Sequence, residues 1–278
     1  MRLRIAAAAT AFAVLAGADS LSAQATELRL YAVNPFWSDA EWTGTGWTNM
    51  DNVANDGSNS ISLRWGRPTI GGNQSSYQFN NIVAPGAQVQ YPNDFVTVYT
   101  NGSLFKVGTF THKNYPITTN SLQSVDLNVA LTFDTDGAAP NTVVSDGVTI
   151  SHYETNNPNG DVVTFLGLPS MTSFQIDGFW YDLRIEGFSY FSNAESVDDL
   201  IETFTTPESF KQEYCTKWKH GKCKDKDWKV IEKLTTGHLY ASVTARPVNV
   251  PEPTTLSLVG FGAVAMVGFA RRNRSRNG

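Results

Sequence analysis

The stretch Val125–Phe133 constrains the fold more than any other part of the chain. Val125, Leu127, Val129, Leu131 and Phe133 fall on one side of it, and Asp126, Asn128, Ala130 and Thr132 on the other. Side chains alternate across a strand with a period of two, whereas a helix would spread these five apolar residues around its circumference. One dry face and one wet face belong to an antiparallel sheet rather than to a parallel sheet covered on both sides.

Weaker versions of the same pattern recur along the chain. Strands are expected at Glu27–Val33, Ser60–Trp65, Tyr77–Phe79, Phe95–Tyr99, Phe105–His112, Val148–Tyr153, Val162–Phe165, Ser173–Ile176, Tyr181–Phe188 and Leu239–Arg246. Asn101-Gly102, lying between two of them, reads as a hairpin turn. Asn34–Asn59, with Trp37, Trp42 and Trp47, reads as a loop. Ser196–Phe204 reads as a single amphipathic helix, with Val197, Leu200, Ile201 and Phe204 along one side. About eleven short strands without alternating helices predict an all-β domain over residues 26–249, an antiparallel β-sandwich or a jelly-roll-like barrel. Charged residues make up only 17% of the chain and the net charge is −5, which gives no overall basis for nucleic-acid binding.

Both ends carry export signals. Arg2 and Arg4 precede the alanine-rich apolar run Ile5–Ala18, and Ala23-Gln24-Ala25 fits a small-x-small cleavage site. Residues 1–25 are therefore expected to be a signal peptide for the Sec machinery, with a cut after Ala23 as the alternative. At the other end, Val250-Pro251-Glu252-Pro253 leads into the uncharged segment Thr254–Ala270, then Arg271, Arg272, Arg274 and Arg276. As a helix, that segment would cover roughly 26 Å at about 1.5 Å per residue. A bilayer core is roughly 30 Å thick, so it would make a short transmembrane helix with snorkelling arginines. The positive-inside rule leaves the arginines cytoplasmic and residues before 250 outside.

The order Pro251-Glu252-Pro253, short apolar helix, terminal arginine cluster resembles the PEP-CTERM sorting signal of Gram-negative envelope proteins. The resemblance covers residues 250–278. It implies recognition by an exosortase in the inner membrane, transient anchoring, cleavage near Pro251-Glu252-Pro253, and a surface-bound or released product in a biofilm-forming, exopolysaccharide-producing cell. A second resemblance rests on Ser60–Pro68, Gly108–Ile117, Tyr181–Phe188, Phe204–Glu208 and Leu239–Ala241. Together they are similar to the choice-of-anchor K domain of exported bacterial proteins. That family has no assigned catalytic residues, so none is carried over and no cofactor is implied.

Ser209–Thr236 stands outside the second resemblance and reads as an insertion on the domain. It holds eight lysines against four carboxylates, a local +4 in an acidic chain, interleaved with Tyr214, Trp218 and Trp228. Lys217, Trp218, Lys219, Lys222 and Trp228 are the candidate contacts for an anionic exopolysaccharide. Indole rings stack on sugar faces, and ammonium groups pair with carboxylates. The alternative is a solvated charged hairpin whose tryptophans pack on the domain. Cys215 and Cys223 are the only cysteines; in an exported chain they read as a disulfide, or else as a metal site with His220 and His238.

Asp134 and Asp136, in Asp134-Thr135-Asp136-Gly137, are a weak calcium candidate; no glutamate completes an EF-hand spacing, and Asp-Gly is also a turn pair. No other metal is expected. His112 sits in a Thr-His-x-Asn string, with no Gly-x-Ser-x-Gly anywhere, so it is read as shaping a strand end rather than serving a triad. Glu154, Asp161, Asp182 and Glu186 are the carboxylates from which a glycosidase pair would have to come. Asp182, Arg184 and Glu186 share one face of their strand, opposite Leu183 and Ile185. The chain is expected to be non-enzymatic.

Overall fold

The computed structural model describes residues 27–51, 60–70, 72–82, 95–135, 142–155 and 160–246. The expected signal peptide, residues 1–25, and the tail, residues 250–278 with its apolar segment 254–270, lie outside the described residues. Among the described residues no helix is long and apolar enough to cross a membrane.

The first half of the chain forms β1 (Glu27–Trp42), β2 (Asn49–Asp51), β3 (Ser60–Trp65), β4 (Arg67–Pro68), β5 (Ser75–Asn81), β6 (Val96–Tyr99), β7 (Asn101–Lys113), β8 (Ile117–Thr118) and β9 (Leu122–Asp134). The second half forms β10 (Thr142–Tyr153), β11 (Asp161–Leu166), β12 (Ser170–Ile176), β13 (Phe179–Ser189), β14 (Thr203–Thr206), β15 (Phe210–Lys219), β16 (Lys222–Ile231) and β17 (Leu234–Ala245). One sheet runs β14-β11-β10-β9-β1-β6, and the other β12-β13-β17-β7-β5-β3-β2. Pairing is antiparallel throughout both. The fold is therefore all-β and sandwich-like, built from two curled antiparallel sheets.

β9 keeps the alternation of its sequence: Val125, Leu127, Val129, Leu131 and Phe133 are buried, and Asp126, Asn128, Ala130 and Thr132 between them are not. It sits centrally in its sheet, between β10 and β1. The inward residues of the two sheets meet in one apolar core. An aromatic seam crosses it: Trp37 of β1 approaches Tyr77 and Phe110 of the facing sheet at 6.2 and 6.4 Å. Further along, Phe165 of β11 stacks on Phe188 of β13 at 3.7 Å. Such pairs contribute roughly 0.5–1.5 kcal/mol each beyond the area they bury.

Three local expectations are corrected. The segment 34–59 is not loop throughout: β1 continues to Trp42, because Trp37 finds a fully enclosed site between the sheets, and β2 follows at Asn49–Asp51, while residues 52–59 lie outside the described residues. Asn101-Gly102 does not close a hairpin, since β6 pairs with β1 while β7 pairs with β17 and β5 in the other sheet. Only Gly102 of the pair has positive φ there, whereas a two-residue primed turn needs positive φ at both central residues. Ser196–Phe204 is not a helix. Ser196 caps one turn of 3-10 helix, Val197–Asp199, in a reciprocal capping box. Phe204 then enters β14, buried beside Phe165 at 5.3 Å, so tertiary burial overrides the helical spacing.

Candidate functional site

The insertion forms a separate antiparallel hairpin, β15-β16, outside both sheets. His220 and Gly221, with φ of 53° and 71°, close it between Lys219 and Lys222, the primed-turn geometry missing at Asn101-Gly102. Its foot is tied to the domain by two backbone bonds and closed by a third bond between its own two flanks. Ser209 N–H donates to the Asn114 carbonyl, Asn114 N–H to the Lys233 carbonyl, and Lys233 N–H to Ser209 Oγ. No residue of β15 or β16 is buried. A two-stranded hairpin wet on both faces is marginal in water. Here Cys215 and Cys223 are joined by a disulfide across its tip, with Cα atoms 5.7 Å apart. That pairing overturns the cysteine metal site, because both sulfurs are consumed and His238 Nδ1 is 3.1 Å from Thr109 Oγ1.

The predicted contact residues all lie on this hairpin and all are exposed, Trp218 by 68% and Trp228 by 57%. Trp218 stands opposite Cys223 and Trp228 opposite Glu213. Five residues of strand separate Cys223 from Trp228, so the two indoles are on the order of 15 Å apart along the ribbon. Lys226 bonds Glu213 at 2.7 Å and Lys217 lies 3.9 Å from Asp225. Lys211, Lys219, Lys222, Lys224 and Lys229 form no ion pair among the described residues. A polar groove of about 530 Å³ on the outer face of β3, β5 and β7 ends at the hairpin foot, where Lys113, Tyr115 and Glu232 line it. The Tyr115 hydroxyl donates to Glu232; burial, and then that bond, push its pKa up to about 12.

A second cluster lies inside the sandwich and was not assembled by reading the sequence. His112 of β7, His152 of β10 and Asp161 at the start of β11 each occupy an inward position of their strand and are buried. Their candidate ligand atoms all lie within 4.8 Å of one another. His112 stacks on Trp65 at 5.9 Å, and Tyr77 packs edge-on against both imidazoles. His112 Nδ1 is 2.8 Å from Thr206 Oγ1, and His152 Nδ1 is 2.7 Å from the Tyr77 hydroxyl. Asp161 Oδ1 accepts from the Thr155 N–H. His112 Nε2 and Asp161 Oδ2, both buried, have no hydrogen-bond partner.

The titrations follow from this burial. Desolvation, and then the neighbouring His152, hold His112 well below the ordinary histidine range. Burial, and then the Glu154 charge, raise Asp161 to about 8, against the opposing pull of the Thr155 N–H. Burial, then Asp161 and Glu154, drive Tyr77 well above its ordinary value. Burial thus disfavours the charged forms of His112, Asp161 and Tyr77.

His112 thus does more than end a strand: it reaches across to the opposite sheet. Of the four candidate carboxylates, Glu154 and Asp161 converge on His152 Nε2, at 3.4 and 3.6 Å. Asp182 and Glu186 lie elsewhere, on the outer face of β13 as expected: Asp182 binds Arg246 at 2.6 Å, and Glu186 accepts from Ser242 Oγ at 2.5 Å. Asp134 is buried at the end of β9, and Asp136 lies outside the described residues. His152 could have been found from the phase Val148, Ile150, His152, which puts an ionisable group where the strand pattern demands an apolar one.

Among known families, the PEP-CTERM protein-sorting motif matches residues 249–275. Proteins bearing it are exported, processed by exosortase and sorted to the cell surface, and this applies to the present chain. No curated protein matches the chain.

Proposed function

We propose that the sandwich is a non-enzymatic surface module, similar to a choice-of-anchor K domain, that engages anionic exopolysaccharide in a biofilm matrix through the β15-β16 hairpin. The exposure of Trp218 and Trp228 carries this reading. Trp37 and Trp65 pack inside the sandwich, so the fold has room for indoles in its core. Two indoles held in water on a ribbon with no buried residue leave their ring faces open to a stacking partner. Lysines without ion pairs flank them and supply attraction for carboxylated or sulfated sugars.

The transient inner-membrane anchor and delivery to the surface set the place in which such binding is useful. The test is retention of the full chain on an acidic exopolysaccharide, compared with a variant lacking 210–231 and with the double variant Trp218→Ala/Trp228→Ala. Both variants should be retained less, and wild-type retention should fall steeply with salt. Equal retention of wild type and deletion variant would remove the hairpin from the binding surface.

A further inference from the structure

We propose that His112, His152 and Asp161 form a binding site for a divalent transition-metal ion, Zn²⁺ by preference, at the junction of the two sheets. The donor set is two imidazoles and one carboxylate, which suits zinc. His112 comes from one sheet, His152 and Asp161 from the other, so an ion bound here would tie the two together.

The outer contacts are arranged as a metal site requires. Nδ1 of each imidazole is engaged at the rim, by Thr206 in one case and by Tyr77 in the other, so that with Nδ1–H as the donor Nε2 is the ring atom left to face the centre of the cluster. Fixing the tautomer through the second ring nitrogen is how protein sites orient histidine ligands. Asp161 is fixed in the same manner by the Thr155 N–H at Oδ1, leaving Oδ2 facing both rings. Oδ2 lies 3.6 Å from His152 Nε2 and 3.9 Å from His112 Nε2, too far for a hydrogen bond to either. Ligand atoms around tetrahedral zinc sit roughly 3.3 Å apart, given bonds of roughly 2.0–2.1 Å. The three atoms therefore surround a point that an ion fills after each closes in by a few tenths of an ångström.

The two orphaned atoms, His112 Nε2 and Asp161 Oδ2, are the ones that would bind. Buried polar atoms without partners are costly, and metal coordination supplies the missing partner for both. Glu154 Oε2, 3.4 Å from His152 Nε2 and one quarter exposed, is placed to be the fourth ligand and faces the route to solvent.

The full chain, stripped with a chelator and titrated with Co²⁺ as a coloured probe, should take up one equivalent, give the visible absorption of a four-coordinate site and release it to Zn²⁺. Asp161→Asn preserves shape and should weaken binding by at least about 100-fold, since even losing an outer-shell partner costs roughly 10–100-fold. His220→Ala, which removes the exposed hairpin histidine, should bind as wild type does. X-ray absorption at the zinc edge of the loaded wild-type chain needs no substitution and should count two imidazoles. No uptake by wild type, loss of uptake in His220→Ala, or a count of fewer than two imidazoles would overturn the proposal. So would wild-type binding by Asp161→Asn; a cluster that merely holds a buried water would give the first of these results.

Discussion

Replacing Cys215 and Cys223 with alanine separates the stability of the hairpin from that of the sandwich. The bridge spans a sequence separation of 8. On the chain-entropy account, a loop of that length restricts the open state by about 2.5 kcal/mol. Because β15 and β16 bury nothing against the sheets and are held at the foot by the Ser209, Asn114 and Lys233 bonds, that loss should fall on local opening alone. At roughly tenfold per 1.4 kcal/mol, the open fraction rises roughly 60-fold. Amide hydrogen exchange read strand by strand is the assay. Amides of β15 and β16 that are protected in the wild type should exchange roughly 60-fold faster in the variant, while those of Val125–Phe133 keep their rates. Retention on acidic polysaccharide should fall in parallel, since an open ribbon no longer presents Trp218 and Trp228 together. If the β9 amides lost protection alongside the hairpin, the hairpin would be part of the cooperative core and the separation drawn here would be wrong.

Phe165→Ala probes the seam between the sheets. The ring is 4% exposed, stacks on Phe188 at 3.7 Å and meets Phe110 and Phe204 at 5.9 and 5.3 Å. Its removal should cost about 3–5 kcal/mol in urea unfolding, and a loss below about 1 kcal/mol would mean that the seam collapses around the gap. Asp182→Asn tests an outer-face pair. The hydrogen bonds from Arg246 hold the Asp182 carboxyl below its ordinary range. The stability this contributes is present above the ordinary aspartate pKa and is lost as pH falls through the lowered value. The variant's deficit, small for a solvent-screened pair, should therefore be seen near neutrality and close in acid; a deficit unchanged in acid would assign it to something other than the charge.

The local features most legible in the sequence were those that one strand settles by itself. Alternation in Val125–Phe133 and in Ser60–Trp65 gave the buried side of each strand, and the structure keeps both. A turn was harder to read. Asn101-Gly102 has the composition of a hairpin and serves as a passage between sheets, while His220-Gly221, with less of a signature, closes a true hairpin. Backbone preference allows the chain to turn at a position; which strand receives it is decided by distant partners. The same limit hid the buried cluster, because His112, His152 and Asp161 each break the apolar phase of a different strand, and His112 joins the other two only when the two sheets close.

Alternating polarity and the sorting motif at residues 249–275 determined an exported, antiparallel, all-β protein, because burial of alternate side chains and membrane sorting are written in local composition. Tertiary structure alone decided that Trp37 and Trp65 are core while Trp218 and Trp228 face water. An indole suits either setting, and only the presence or absence of an opposing sheet selects between them. It also decided that two histidines and an aspartate share one dry space, since strand pairing joins His152 to Asp161 and only the closing of one sheet over the other brings His112 to them.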